Sequence, residues 1–216
     1  MSRSSRPTEV SLPELTPFEG PLEPEGEYDA VELRDLDLSG QDAGNARFLE
    51  CGLVGCVVDD TAWRKARFAD CVLTGLRGVA VDLAESSWLD VVLADPRLGA
   101  VQAYGAELTR VVVRGGKVDY VNFRGATLKD VRFEGCMVRE ADFGGASLTR
   151  VTFEGCQLVE PDFSGARLEA VDLSGADLRA PKGVTSLAGA TISSAQLMEL
   201  APVFATQLGI SVADGL

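Results

Sequence analysis

The side chains able to do chemistry are few in kind and regular in placement. The chain has 216 residues, five cysteines and no histidine. Without histidine the commonest general base is missing, and neither a Ser-His-Asp nor a Cys-His arrangement can form. All five cysteines lie two residues before an apolar position of a five-residue repeat, namely Cys51, Cys56, Cys71, Cys136 and Cys156. We expect this position to point inward, which predicts buried free thiols rather than nucleophiles.

Other familiar chemical motifs are missing from the sequence. The cysteines lack the close spacing of metal ligands, no GxGxxG follows a predicted strand, and no GxxxxGK[ST] loop occurs. Carboxylates are plentiful, but five-residue units offer no long loops to build a catalytic cleft around a pair of them. The sequence therefore predicts no enzyme, no catalytic or metal-binding residue and no cofactor, although an enzyme is retained as the third and weakest reading.

Charge and hydropathy limit the partners and the compartment. The net charge is −13, so nucleic acid and anionic membranes are poor partners. No run approaches the roughly 20 apolar residues of a transmembrane helix, and Met1–Arg6 is followed by Pro and Glu rather than by an apolar stretch. Together with cysteines expected to be unpaired, this predicts a cytoplasmic protein with no membrane association.

An apolar residue recurs at every fifth position from Leu33 to Leu178 with few gaps. A period of five is neither helical nor that of a simple strand, so it marks an internal repeat and predicts a solenoid. Within each unit the apolar centre and the residue two before it should point inward. Three segments follow: an acidic, Pro-rich stretch over 1–30, the repeats over 31–178, and a turn, helix and tail over 179–216.

The clearest units lie between residues 121 and 178. Ala141-Asp142-Phe143, Pro161-Asp162-Phe163, Val171-Asp172-Leu173 and Ala176-Asp177-Leu178 are all of the form small–Asp–apolar. This resembles the pentapeptide-repeat family, whose consensus is A(D/N)LXX. The resemblance implies an all-β fold, a right-handed quadrilateral β-helix with four units per coil, here of about seven coils with a short C-terminal α-helix.

A coil of 20 residues predicts which side chains stack on one another. Residues that differ by 20 in number should form columns, and ladders of like side chains fill a narrow core without voids. The predicted core ladder comprises Phe123, Phe143 and Phe163 in one column, Phe133 and Phe153 in the facing column, and Leu108, Leu128, Leu148 and Leu168 in a third.

The repeat is irregular over residues 76–104. Gly78 and Ala103 are small for centres, while Trp88 is large for a narrow interior, and Pro96 removes a backbone donor at an inward position. Two alternatives stay open. This segment either bulges into a loop that serves a partner, or it is ordinary repeat decay with local compensation.

Both ends carry alternatives of their own. The segment 1–30 is either disordered or covers the open first coil with Leu12, Leu15, Phe18 and Leu22. Near the C-terminus, Ser193 and Gln196 form a capping box, and Pro202 should kink or split the helix that follows. The predicted apolar face of that helix consists of Leu197, Leu200, Ala201, Phe204 and Leu208. It either caps the last coil or pairs with a second copy, and the tail resembles mycobacterial fluoroquinolone-resistance pentapeptide proteins, which implies a two-fold homodimer.

The sequence leaves two main functions open, a protein-interaction scaffold and a DNA mimic. For a scaffold of unknown client, the candidate surface is an outward apolar stripe of Val54, Val72, Val92 and Val112. Resemblance to acidic family members that protect bacteria from quinolones implies instead binding to a type II topoisomerase, DNA gyrase, in place of DNA. The candidate acids for that role are Asp59, Asp60, Asp82, Glu85, Asp142 and Asp162.

Overall fold

The computed structural model describes residues 9–213. The chain forms a β-solenoid of about eight turns followed by one C-terminal helix, which confirms the predicted fold class. Every strand pairing is parallel, and all but the first join residues 19 or 20 apart, as Phe133 and Phe153 illustrate. Each coil has four sides, and the apolar centres of one coil are Leu53, Val58, Trp63 and Phe68 on its first to fourth sides.

Short strands alternate with turns along the whole coil. The strands of the first half are β1 (Thr16–Pro17), β2 (Glu27–Asp29), β3 (Val31–Arg34), β4 (Arg47–Leu49), β5 (Gly52–Val54), β6 (Arg67–Thr74), β7 (Arg77–Val79), β8 (Ser87–Ala94), β9 (Arg97–Gln102) and β10 (Glu107–Arg114). The second half contains β11 (Lys117–Asn122), β12 (Thr127–Lys129), β13 (Arg132–Glu134), β14 (Met137–Arg139), β15 (Ser147–Thr149), β16 (Thr152–Glu154), β17 (Gln157–Val159), β18 (Arg167–Glu169), β19 (Val171–Asp172), β20 (Asp177–Arg179) and β21 (Ala190–Thr191). A 3₁₀ turn spans Val184–Leu187 and helix α1 spans Ser194–Gln207.

The corners of the coil hold residues in the left-handed region. Glycine adopts such a positive φ without a steric penalty, and Gly135 has φ 65°. Corners without glycine adopt the same region, since Arg150 has φ 53° and Glu160 has φ 53°. Corner conformation is therefore imposed by the stacking of coils, because neighbouring coils fix the backbone hydrogen bonds on either side of each corner.

The predicted core ladder lies inside the coil. Phe143 stacks on Phe123 and Phe163, with ring centroids 5.5 and 5.2 Å apart, and Phe133 stacks on Phe153 at 4.7 Å. The two columns meet edge to face between Phe143 and Phe153. The third column is in register from one coil to the next, as the predicted spacing of 20 requires, through Leu108, Leu128, Leu148 and Leu168.

The irregular segment 76–104 stays in the coil and forms no loop. Gly78 pairs in register with Leu98, and Trp88 pairs with Phe68 and Leu108 in its own column. Gly78 lies on the second side and Trp88 on the fourth side of the same coil, so the smallest centre faces the largest. A cavity of about 70 Å³ remains in the next coils, where Ala103 lines it together with Leu98, Val118 and Phe123.

Residues 16–30 stack below the coil that begins at Val31. Thr16 pairs with Val31 and Tyr28 with Phe48, and Leu22 and Tyr28 are buried. This partial turn accounts for the difference between the seven coils predicted and the eight observed. The first eight residues of the predicted segment 1–30 and the last three of the segment 179–216 lie outside the described range, and the division into three segments stays a prediction.

Helix α1 closes the other end of the solenoid. The capping box is present, with the Gln196 amide donating to the Ser193 hydroxyl and the Ser193 amide donating to the Gln196 side chain. The buried Gln196 side chain also donates to the carbonyls of Leu173 and Ala176 in the last coil. The helix continues through Pro202, so the expected split does not occur.

Candidate interaction surface

One side of the coil carries no charge over three successive coils. We call this surface the uncharged face, and its outward residues are Gly52, Val54, Val72, Thr74, Val92 and Ala94. The strand residues between them point inward, because side chains alternate along a strand. The face is bounded by Glu32 and Arg34 in the coil before it and by Arg114 and Arg132 in the coils after it. It holds three of the four predicted stripe residues.

Val112, the fourth stripe residue, is not available to a partner. It is only 1 % exposed, although it points away from the core cluster. Arg132 lies next to it in register, Arg114 lies two residues further along its own strand, and both guanidinium groups reach Glu134. The aliphatic stems of these long side chains cover the valine, as arginine stems commonly do on apolar surface. The stripe therefore ends at Val92 and Ala94.

The N-terminal segment covers the opposite end of the uncharged face. Leu12 and Leu15 are half-buried, and both lie against Gly52. A Cβ atom at Gly52 would come within 2.9 Å of Leu15 Cδ1, so the missing side chain is what admits the leucine. The open part of the face consequently starts at Val54 and Val72.

The predicted acidic residues are largely occupied by internal bonds. Asp82 and Asp142 each accept a hydrogen bond from the backbone amide two residues later, and each also pairs with an arginine, Arg64 and Arg124 respectively. Such bonds stabilise the turns, which explains aspartate at this repeat position without any partner. Fourteen ion pairs occur between residues 9 and 213, and they divide the acidic surface.

The remaining predicted acids differ in their partners. Asp162 accepts from the amide of Ser164. Hydrogen bonding by Ser164, chiefly through its side chain and also through its backbone, lowers the pKa of the Asp162 carboxyl below its usual range. Asp59 accepts from the amide of Val79 in the next coil. Glu85 pairs with Arg64 and Lys65, whereas Asp60 forms a corner with φ 51°. These six acids thus do not form one continuous negative surface.

The cysteines lie inside the coil, because all five occupy the same inward position of the repeat unit. All five are buried and unbridged. The neighbouring Cys51 sulfur and burial both raise the pKa of the Cys71 thiol above its ordinary range, and Cys156 and burial act alike on Cys136. Raised pKa values keep the Cys71 and Cys136 thiols protonated at neutral pH, which lowers their reactivity as nucleophiles. In the described part of the chain, no group of acidic, cysteine or histidine side chains is arranged to hold a metal ion.

The predicted dimerisation residues of α1 separate into two sets. Leu200 is buried against the solenoid and Phe204 packs beside it. Leu197 and Leu208 are instead 51 % and 74 % exposed, and Ala201 is exposed as well. Met198, which the sequence analysis did not select, is 75 % exposed and enlarges this second set. One face of the helix therefore caps the last coil while another stays open.

A column of three cations was also missed by the sequence analysis. We call Arg77, Arg97 and Lys117 the cation ladder, since they occupy one outward position of the second side in three successive coils. All three side chains are exposed. Their spacing of 20 residues was the available signal, but it was applied only to apolar and acidic residues.

Comparison with known proteins finds one family model and several similar solved structures. Residues 106–163 match a family model described as a pentapeptide repeat region. Among solved structures, the chain is similar to HetL, a pentapeptide repeat protein involved in heterocyst differentiation regulation from the cyanobacterium Nostoc sp. strain PCC 7120. The identity is 20 %, the match covers 79 % of this chain and 90 % of HetL, and the TM-score is 0.33.

A second similar structure is a trypsin-treated form of QnrB1, a plasmid-mediated fluoroquinolone resistance protein. It is 19 % identical, with 92 % of this chain and 96 % of that chain covered, at a TM-score of 0.29. A search of curated proteins finds no match. Within residues 9–213 there is no helix of the length and apolar character needed to span a membrane. Residues 106–163 are thus a pentapeptide repeat region, and parallel coils of five-residue units continue on both sides of it.

Proposed function

We propose that this protein is a non-enzymatic scaffold that binds another protein through the uncharged face. The observation that carries the proposal is the contrast between this face and its surroundings. Val54, Val72 and Val92 are part-exposed on a flat strand surface, while the coils before and after them are charged. A contiguous apolar patch with a polar rim is typical of a protein-interaction site.

Site-specific photocrosslinking tests this proposal directly. A photoreactive phenylalanine analogue replaces Val92 in one variant and the exposed Thr127, on the fourth side, in a control. The proposal expects a discrete crosslinked protein from position 92 and none from position 127 in the producing cells. Adducts from neither position, or equal adducts from both, would contradict it. The predicted cytoplasmic location is tested by the same experiment through the identity of the captured protein.

A topoisomerase decoy is the second candidate. Glu50, Asp70 and Asp90 occupy the same corner in three successive coils, which gives a short column of acids at strand spacing. A regular row of carboxylates can enter a basic groove that normally holds DNA. Against this, Arg110 continues the column and bonds Asp90. Titration of the purified protein into a gyrase supercoiling assay, with and without a quinolone, tests the decoy function, and no effect on either reaction would reject it.

We also propose that two copies associate through the open face of α1. Leu197, Met198 and Leu208 are together exposed on a helix whose other face is already buried. Two-fold contacts between like apolar patches are the commonest route to a homo-oligomer. Replacing both Leu197 and Leu208 by Asp should halve the mass in sedimentation equilibrium without altering the coil, since Leu200 still caps the end. Thr127→Asp is the control, and an unchanged mass for the double variant would overturn the proposal.

A further inference from the structure

The cation ladder concentrates positive charge on one side of a protein whose net charge is −13. Register pairs Arg77 with Arg97 and Arg97 with Lys117, so like charges lie directly opposite on adjacent strands. Such pairs are unfavourable. Some other columns relieve such repulsion, as where Arg110 bonds Asp90 across consecutive coils, and others keep it, as where Arg47 lies opposite Arg67. The ladder places three like charges in one column.

Internal acids do not neutralise the ladder. Among the residues that the structure describes, no carboxylate lies within 4.0 Å of the Arg77 or Arg97 guanidinium. Arg77 donates to the carbonyl of Gly55, and Lys117 pairs with Asp119 at 2.6 Å. Two full positive charges and part of a third thus face solvent on one side of the coil.

A trough runs beside the ladder. It has a volume of about 550 Å³ and is lined by two cations, by Asp119, which pairs with Lys117, and by small or apolar residues. The lining residues are Gly78, Val79, Arg97, Leu98, Gly99, Gly116, Lys117 and Asp119. Gly116 has φ 70°, and a Cβ there would lie 2.3 Å from the Pro96 carbonyl oxygen, so the backbone requires glycine at that position.

Gly99 differs from Gly116, because its φ is not positive and a Cβ would meet only Val79 Cγ1 at 3.4 Å. The fold does not need glycine at position 99, but a larger side chain there would fill the trough.

We propose that the cation ladder and its trough bind an extended acidic segment of a partner protein. The three cations lie in successive coils, so the first and the third are roughly 10 Å apart. Two carboxylates on one edge of an extended peptide can be separated by a similar distance. Exposed Val79 and Tyr120, 55 % and 58 % accessible, offer apolar contacts on the same side. A long polyanion fits poorly, because the column ends in Asp37 on one side and Asp177 on the other.

This site goes beyond the proposed function, since it lies on the second side of the coil and the uncharged face on the first. Failure of crosslinking at Val92 would leave it standing, and the reverse also holds. The two sites would give the scaffold neighbouring surfaces of different chemistry.

Fluorescence anisotropy with a labelled hexaglutamate peptide tests the proposal. We expect saturable binding at low salt that weakens as salt rises, as for any ion-pair interaction. Arg97→Gln should weaken binding at least fivefold, and Gly99→Leu should do the same without changing the charge. Arg167→Gln is the matched control, because it removes an exposed arginine from the fourth side, and its effect should stay below twofold.

Three results would overturn the proposal. The first is no binding of hexaglutamate to the unaltered protein. The second is an equal loss from Arg97→Gln and Arg167→Gln, which would indicate general charge attraction. The third is tighter binding of a hexanucleotide than of hexaglutamate, which would assign the ladder to nucleic acid. Matching melting curves for all variants exclude unfolding as the cause of any loss.

Discussion

The coils at residues 121–178 and the coils at residues 76–104 fill the same interior by different means. In the later coils, rings of one kind stack on themselves, as Phe143 does between Phe123 and Phe163. In the earlier segment, Gly78 faces Trp88 across one coil and a cavity of about 70 Å³ lies beyond them. In this coil a large and a small residue therefore compensate across the coil rather than along a column.

Phe143→Ala provides the largest test of this contrast. Phe143 is 1 % exposed and contacts rings in two columns, so its removal leaves a cavity that rigid parallel coils cannot close. We expect a loss of about 3–5 kcal/mol in the free energy of unfolding, measured by denaturant titration. Lys129→Ala, at an exposed position of the preceding coil, is the control. A Phe143 variant as stable as that control would contradict the packing described for the later coils.

Gly78→Ala tests whether the earlier segment has room for a side chain at position 78. A Cβ at Gly78 would lie 2.7 Å from the backbone carbon of Val58, whereas Gly99 has room for one. We expect Gly78→Ala to destabilise by about 1–3 kcal/mol.

Gly99→Ala is the matched control for Gly78→Ala and should stay within about 0.5 kcal/mol of the unaltered protein. Equal stabilities of the two variants would show that Gly78 is not needed to accommodate its neighbours.

Ala103→Val should have the opposite sign. The new methyl groups enter the cavity that Ala103 lines, so we expect a gain of about 0.5–1.5 kcal/mol in thermal or denaturant unfolding. The same change at Ala146, which is fully buried in the regular coils, should cost about 1–3 kcal/mol. Destabilisation at both positions would mean that the two regions are equally tightly packed.

Corner ion pairs should give the smallest effect and should not distinguish the regions. Arg110–Asp90 and Arg150–Asp130 have the same geometry, each with Nε 2.6 Å from Oδ1. The hydrogen bond from Arg150 lowers the pKa of the Asp130 carboxyl. A depressed carboxyl pKa stabilises the folded state above the unfolded value of about 4, and this stabilisation is lost as pH falls.

Asp130→Asn should therefore lower the melting temperature slightly at neutral pH, and the difference should shrink below about pH 4. Arg150→Gln and the double variant complete a mutant cycle that isolates the pair. A deficit of Asp130→Asn that persists at acidic pH would assign the effect to something other than the carboxylate charge.

The sequence predicted the solenoid and its ladders because similar residue types recur every 20 residues. It did not predict that Gly78 compensates Trp88, because this requires knowing which sides of a coil face each other. It placed Val112 on an exposed outward stripe. The side chain is only 1 % exposed, because Arg132 from the following coil covers it. Burial of Tyr28 was missed although it lies five residues before Leu33 and 20 before Phe48, because the repeat was traced only from Leu33 onward.

The open face of α1 and the cation ladder show a second limit. Spacing indicated an apolar helix face, but the coil end selects which part of it is buried, with Leu200 inside and Leu208 outside. Charge columns are readable from the sequence once the coil length is known. Whether the charges of a column are neutralised depends on which side chains of neighbouring coils can reach them. The repeat period alone does not give those contacts.

The four-sided coil has a consequence for how such a chain can change in length. Inserting a full coil keeps every column and lengthens the rod by one strand spacing of about 4.8 Å. Inserting a single five-residue unit between Lys117 and α1 preserves the local repeat but turns everything beyond it by a quarter of a revolution. The cation ladder would then point in another direction relative to the C-terminal helix. Length changes in this protein are therefore also changes of orientation, and only whole coils leave the geometry between its surfaces and its end intact.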